Sequence, residues 1–160
     1  MPKEKIFSQH IEHITSQINT TLSKLDFEGA VIYSGDLQYF YLDDQAQTFR
    51  ANPHFLRWCY INNPFSFIKI IVGEKPTLLF HQPEDFWHEG EDIFAQGDWS
   101  SFNISIHKEK TDFPFTELKG KKIAYIGTDR PEAKDYSFYM NPKNLLFAMD
   151  WFRTQKTDYE

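Results

Sequence analysis

Ile11, Ile14, Ile18, Leu22 and Leu25 recur three and four residues apart near the start of the chain. This spacing draws one apolar stripe along an α-helix, with Gln9, Glu12, Gln17 and Lys24 on the other side. It predicts a helix over about Lys5–Leu25 whose striped side faces a core. "DFEG" then stops it, with Gly29 available for a left-handed turn. "AVIYSG" follows as a short apolar strand ended by Gly35, so the chain opens helix, turn, strand.

Further on, "SFIKIIV" and "TLLFH" read as strands, and "GEKP" between them as a hairpin loop. "PEDFWH" reads as a helical turn with Pro83 at its first position and Trp87 as an anchor against the sheet. "FNISIH" alternates as a strand. "TELKGKKIAYIG" predicts a short helix stopped by Gly120, then a buried strand ending at Gly127. In "MNPKNLLFAMDWFRTQK", Asn141 caps and Pro142 opens a last helix, with Leu145, Leu146, Met149 and Phe152 as its buried stripe and Trp151 beside it. Helices and strands interleave and the hairpin is antiparallel. The expected fold class is therefore α/β, a mixed β-sheet flanked by helices.

At 160 residues the chain reads as a single domain, 1–160. Aromatic residues reach 18%, with 16 Phe, more rings than one small core needs, so some are expected at the surface. The net charge of −6, with no basic run, sets nucleic acid aside as a partner. Cys59 is the sole cysteine, which excludes an internal disulfide and a cysteine-based zinc site; a half-buried structural thiol is expected. "MPKEKIFSQH" lacks an apolar signal core and no run reaches membrane-span length, so the expectation is a cytoplasmic domain with no membrane partner.

No glycine-rich phosphate loop follows a strand, and no Gly-x-Ser-x-Gly elbow occurs. His10 and His13 share a helix side but have no third ligand nearby, so they read as solvated histidines and no metal site is expected. "FYLDDQAQTFRANPHFLRW", Phe40 to Trp58, is the densest stretch of carboxylates and rings, yet it has no regular period and Pro53 breaks it as a helix. Adjacent Asp43 and Asp44 point to opposite sides of an extended segment, which argues against a shared catalytic dyad. An independent hydrolase using Asp43, Asp44 or His88 would need a metal or nucleophile that the sequence does not offer. These residues alone give an α/β domain with no catalytic residue of its own.

Read in order, "YLDDQAQTFRANPHFLRW", "NNP", "PEDFWH", "YIG", "NP" and "KTDYE" resemble the N-terminal domain of bacterial Xaa-Pro dipeptidases, the prolidases, and of the related organophosphorus acid anhydrolases. The resemblance runs from about His10 to Glu160. Thr48 stands where the family often has proline, and Phe65-Ser66-Phe67 where it often has Cys-Trp.

The resemblance implies a creatinase/prolidase-like N-terminal domain that precedes a larger "pita-bread" catalytic domain, absent from this chain. That domain holds two divalent metals, commonly manganese, and hydrolyses Xaa-Pro dipeptides. The expected partners are this catalytic domain, a second subunit in a homodimer, and the dipeptide. The resemblance further implies that the Leu42-Asp43-Asp44 loop of one subunit reaches the other's substrate pocket. Asp44 would meet the dipeptide's ammonium, with Leu42, Asp43, Phe49 and Arg50 as support, and Phe40, Tyr41, Phe49 and Trp58 as loop anchors or dimer contacts. The other reading is a stand-alone binding module that kept the fold and lost the enzyme.

Overall fold

The computed structural model describes residues 3–37, 42, 45, 48–82 and 98–154. The first helix, α1 (Lys3–Lys24), buries Ile11, Ile14, Ile18 and Leu22 as the stripe requires. Its end differs from expectation. Asp26, not Gly29, takes the left-handed conformation, at φ 66°, and Phe27 N–H closes back on the Leu22 carbonyl at 2.8 Å. That six-residue closure satisfies one of the last free carbonyls of the helix. Gly29 instead begins β1 (Gly29–Tyr33), where a Cβ would sit 2.4 Å from the Ile70 carbonyl oxygen. The glycine is needed for close packing, not for a turn.

A short helix, α2 (Pro53–Leu56), follows β1. Pro53 therefore opens a helix where the sequence suggested only a break, and the Asn52 side chain caps it by accepting from His54 N–H at 3.0 Å. β2 (Phe67–Ile71) and β3 (Thr77–His81) form the expected antiparallel hairpin. β4 (Asn103–His107) runs parallel to β3. The helix expected at "TELKG" is a single 3-10 turn, Thr116–Leu118, leading to β5 (Ile123–Ile126). Two elements were not foreseen: α3 (Pro131–Asp135) and the two-residue β6 (Tyr139–Met140). α4 (Lys143–Thr154) closes the described chain and buries Leu145 and Met149.

The strands form one mixed sheet in the order β4-β3-β2-β1-β5-β6. Alternation along each strand builds two cores. On one face Ala30, Ile32, Ile68, Ile70, Ala124 and Ile126 meet α1 and α4. On the other, Val31, Tyr33, Phe67, Ile123 and Tyr125 meet an aromatic cluster around Phe113, Phe115 and Phe138. There Tyr33 stacks on Phe67 at 4.7 Å and Phe67 meets Phe115 edge-on at 5.0 Å. This second core absorbs much of the phenylalanine content. Among the described aromatics, Tyr60, Tyr139 and Phe147 remain exposed.

Candidate functional site

β1 and β5 lie side by side and parallel, with Ile32 opposite Ile126. Past β1 the chain passes to α2, whose Phe55 is buried in the core beneath α1. Past β5 it passes to α3, whose Ala133 is buried in the opposite core. Parallel neighbours whose chains leave toward opposite faces open a crevice at their carboxyl ends, the usual ligand position in open α/β sheets. A cavity of about 550 Å³ fills this place, with Gly35, Asp36, Phe49, Arg50, Asn52 and Leu146 in its wall.

The segment that leaves after Gly35 and returns at Phe49 is rooted here by a set of short-range bonds. Ser34 N–H donates to the Ser66 carbonyl at 2.8 Å, and Ser66 N–H donates to Ser34 Oγ at 3.0 Å. Phe65 N–H donates to the Gly35 carbonyl at 2.9 Å. On the returning side Asn52 N–H donates to the Ser34 carbonyl at 2.9 Å. Asn62 holds both Ala51 N–H (2.7 Å, accepting) and the Phe49 carbonyl (2.8 Å, donating). Asn63 Nδ2 donates to Ser66 Oγ at 2.7 Å and to the His81 carbonyl at 2.9 Å, joining this base to β3.

Tyr33 touches both roots. Its hydroxyl donates to Asp36 Oδ1, and its carbonyl accepts from Asn52 Nδ2 at 3.3 Å. Burial pushes the Tyr33 hydroxyl well above its ordinary pKa, and the bond to Asp36 adds to this, so it stays a donor. Its ring lies 5.1 Å beneath the Arg130 guanidinium, which also faces Phe67 and Phe113. Arg130 is buried, its side chain bonded to the Thr111 and Asp112 carbonyls at 3.2 and 3.3 Å and paired with Glu132 at 3.3 Å. Burial alone would lower the pKa of Arg130; the Glu132 and Tyr33 contacts outweigh it and hold the group charged.

Beyond β3 and β4, the rings of His81 and His107 face each other at 5.4 Å as cross-strand partners. Their Nε2 atoms sit 3.1 Å from the Lys108 carbonyl and 2.8 Å from the Phe65 carbonyl. A carbonyl only accepts, so each Nε2 carries the proton. Burial lowers both pKa values from the ordinary 6.5.

The expected site residues divide as follows. Arg50 is exposed at the cavity wall, and Phe49 is half-buried there, packed on the core below α1. Leu42 is 89% exposed, with φ 56°. Asp43, Asp44, Phe40 and Tyr41 lie outside the described residues, as do Asp85, Trp87 and His88. Trp58, expected as a loop anchor or dimer contact, is a core residue, 2% exposed, and so offers no surface for a dimer contact. Cys59 is fully buried rather than half-buried, and burial pushes its thiol up to about 12. His10 is not a solvated helix histidine: it is half-buried and its Nε2 bonds the Arg57 carbonyl at 2.9 Å. Asn141 is not a helix cap. Its carboxamide bonds Gly127 instead, accepting from N–H at 2.9 Å and donating to the carbonyl at 3.0 Å.

Among the described residues no three His, Cys, Asp or Glu side chains could hold a metal ion, so they do not fit a two-metal centre. Among the same residues no helix is long and apolar enough to cross a membrane.

Residues 5–151 match the family described as Xaa-Pro dipeptidase, N-terminal domain. The chain belongs to this family. Its relatives include the Xaa-Pro dipeptidases of Colwellia psychrerythraea, 34% identical over 158 residues, and Pseudoalteromonas haloplanktis, 31% identical over 163 residues. These alignments cover 96% and 97% of this chain but only 35% and 36% of the relatives, so the chain spans about a third of their length. Among solved structures, one from Bacillus anthracis assigned to aminopeptidase P superposes with a TM-score of 0.61 at 15% identity, covering 99% of this chain and 42% of that one. The aminopeptidase PepP of Pseudomonas aeruginosa gives 0.50 at 13% identity, covering 96% of this chain and 33% of that one. At such low identity these neighbours speak to the fold, and they agree with the mixed α/β sheet flanked by helices.

Sequence reasoning identified the "ANP" and "NNP" motifs of this family without assigning work to them. Asn52, Asn62 and Asn63 prove to be the side chains that fasten the loop roots. An Asn-Pro pair near a strand end was the available signal, since asparagine readily bonds nearby backbone and proline fixes the exit. Arg130 had no such signal: nothing in "TDRPEAKD" marks one charged residue as covered, and only the fold shows it.

Proposed function

We propose that this chain serves as the non-catalytic N-terminal domain of a cytoplasmic Xaa-Pro dipeptidase. In this reading a catalytic domain carried by the longer protein supplies two divalent metals, manganese by resemblance, and the hydrolytic chemistry. Two subunits pair, and each lends the loop bearing Leu42, Asp43 and Asp44 to the substrate pocket of the other. The observation that carries the reading is a fixed base with an exposed residue, Leu42, between its two roots. Both roots, at Gly35 and Ala51, are bonded to the segment that precedes β2, through Phe65 and Asn62.

The chemistry suits a dipeptide. Its free ammonium lies a fixed distance from the scissile bond, and a carboxylate at that distance selects for it and excludes longer peptides. One charge-assisted contact of this kind is worth roughly 1.5–3 kcal/mol. Phe49 and Arg50, at the returning root, would hold the loop and line its base.

The test has two arms. Reading the coding DNA past the Glu160 codon should give an open frame that continues into Asp, His and Glu metal ligands. In that longer protein Asp44→Ala should lower kcat/KM for Xaa-Pro dipeptides by about tenfold or more, as loss of such a contact implies. Unchanged kinetics would sink the capping role. A stop codon directly after Glu160 would favour a stand-alone binding module, a reading that the cavity at the β1–β5 crevice supports.

A further inference from the structure

We infer that Tyr33 and Asp36 are positioning residues for the segment between them and Asn52, held by Arg130, which lies over the Tyr33 ring on the same face of the sheet. The inference rests on the reading of that segment as the loop lent to a partner pocket. Tyr33 is fully buried at the end of β1, yet its two polar groups go to the two roots: the hydroxyl to Asp36 and the carbonyl to Asn52. Nothing in the core requires a hydroxyl there; Phe67, stacked on the same ring, makes its contacts without one. A buried hydroxyl costs free energy unless bonded, and the acceptor it meets is the first carboxylate past the strand.

The ring is itself fixed from three sides. Phe67 stacks on it, Arg130 lies over it, and the Tyr33 backbone is crowded by Gly127, where a Cβ would come within 2.9 Å of Tyr33 Cβ. Arg130 in turn is fastened by carbonyls of Thr111 and Asp112 and by Glu132. A cation set over the ring, a phenol and a carboxylate thus run in sequence from the aromatic core to the loop root. The direction in which the segment leaves the sheet is set by Asp36, and that of Asp36 by Tyr33.

Two measurements test this. In the 160-residue chain, spin labels at Leu42→Cys and Ser23→Cys, both exposed sites, report the distance from the segment to α1; buried Cys59 stays unlabelled. Tyr33→Phe and Asp36→Asn should each broaden or shift the distance distribution relative to the parent, with Asp36→Glu restoring part of it. An unchanged distribution in both variants overturns the inference, whatever the fate of the enzyme reading. In the longer protein both variants should raise KM for a Xaa-Pro dipeptide by about tenfold with a smaller change in kcat, since misplacement of a binding group by an ångström carries effects of this order or larger. If Asp44→Ala impairs turnover while Tyr33→Phe and Asp36→Asn leave KM alone, the positioning role is wrong and the capping role stands. If Asp44→Ala has no effect, it is the capping role that falls.

Discussion

Asn141 holds Gly127 by both ends of one carboxamide, with Oδ1 on the N–H at 2.9 Å and Nδ2 on the carbonyl at 3.0 Å. This pairs the residue after β5 with the residue after β6 and extends the β5–β6 ladder by a side chain. Asn141 itself sits at φ 45°, a conformation asparagine tolerates better than most residues. Asn141→Ala should lose both bonds and add backbone strain, lowering stability by about 1–3 kcal/mol. Asn141→Gly should cost less than alanine, because it relieves the strain while losing the same bonds. Urea unfolding of the two variants checks the order; a glycine variant less stable than alanine would refute the account.

Gly127 and Gly73 both have positive φ, at 143° and 85°, but their surroundings differ. A Cβ on Gly127 would meet Tyr33 Cβ at 2.9 Å and the Tyr33 carbonyl oxygen at 3.1 Å, whereas Gly73 has open space. Gly73→Ala should therefore cost only the conformational penalty of about 1–2 kcal/mol. Gly127→Ala should cost about 1–3 kcal/mol more, because backbone must also shift. Equal melting temperatures for the two variants would show that the Tyr33 contact yields freely.

The His81–His107 pair makes the domain acid-sensitive. Both folded pKa values lie below the ordinary 6.5, so the unfolded chain binds more protons on the acid side. The stabilisation from neutral rings is complete above pH 6.5 and is lost as pH falls from there through the folded values. Denaturant midpoints should fall between pH 7.5 and 5.5, and His107→Gln should flatten that fall. Glutamine offers an N–H toward the Phe65 carbonyl without a titrating ring. An identical slope in parent and variant would assign the loss to other groups.

Cys59 should be chemically silent in the native protein. With its thiol pushed up to about 12, only about one part in ten thousand is thiolate at pH 8, and none of the side chain is exposed. A thiol-disulfide dye should report no reaction in buffer and one thiol per chain in urea, the sole cysteine of the sequence. Fast labelling without denaturant would mean that the segment after α2 opens readily.

The elements that could be read from the sequence are those whose local pattern and tertiary surroundings ask for the same thing. The α1 stripe matches its burial residue for residue from Ile11 to Leu22, and the β2–β3 hairpin follows from two apolar runs around a glycine. α3 and β6 escaped because "PEAKD" and "YM" carry little pattern; what holds them is Ala133 and Phe138 against the Phe113 cluster, a neighbour distant in the chain. The site was legible as a place and not as a mechanism. Phe49 and Arg50 stand in a stretch whose dense rings and charges mark it in the sequence, but the bonding by Asn52, Asn62 and Asn63 depends on which backbone groups the fold leaves unpaired. Asn141 shows the same limit, since its position before Pro142 suits a cap and only the proximity of Gly127 redirects it.

The fastening of Gly35, Ala51 and Asn52 also bears on how such a domain changes over time. The bonds that close the base come from Ser34, Asn52, Asn62 and Ser66, all outside the segment they enclose. Substitutions, insertions or deletions between Leu37 and Thr48 therefore leave the sheet register untouched, and lengthening a loop already closed adds little entropy. Selection on what this chain touches can proceed there while the fold stays fixed, which makes the segment a natural cassette for exchange between relatives.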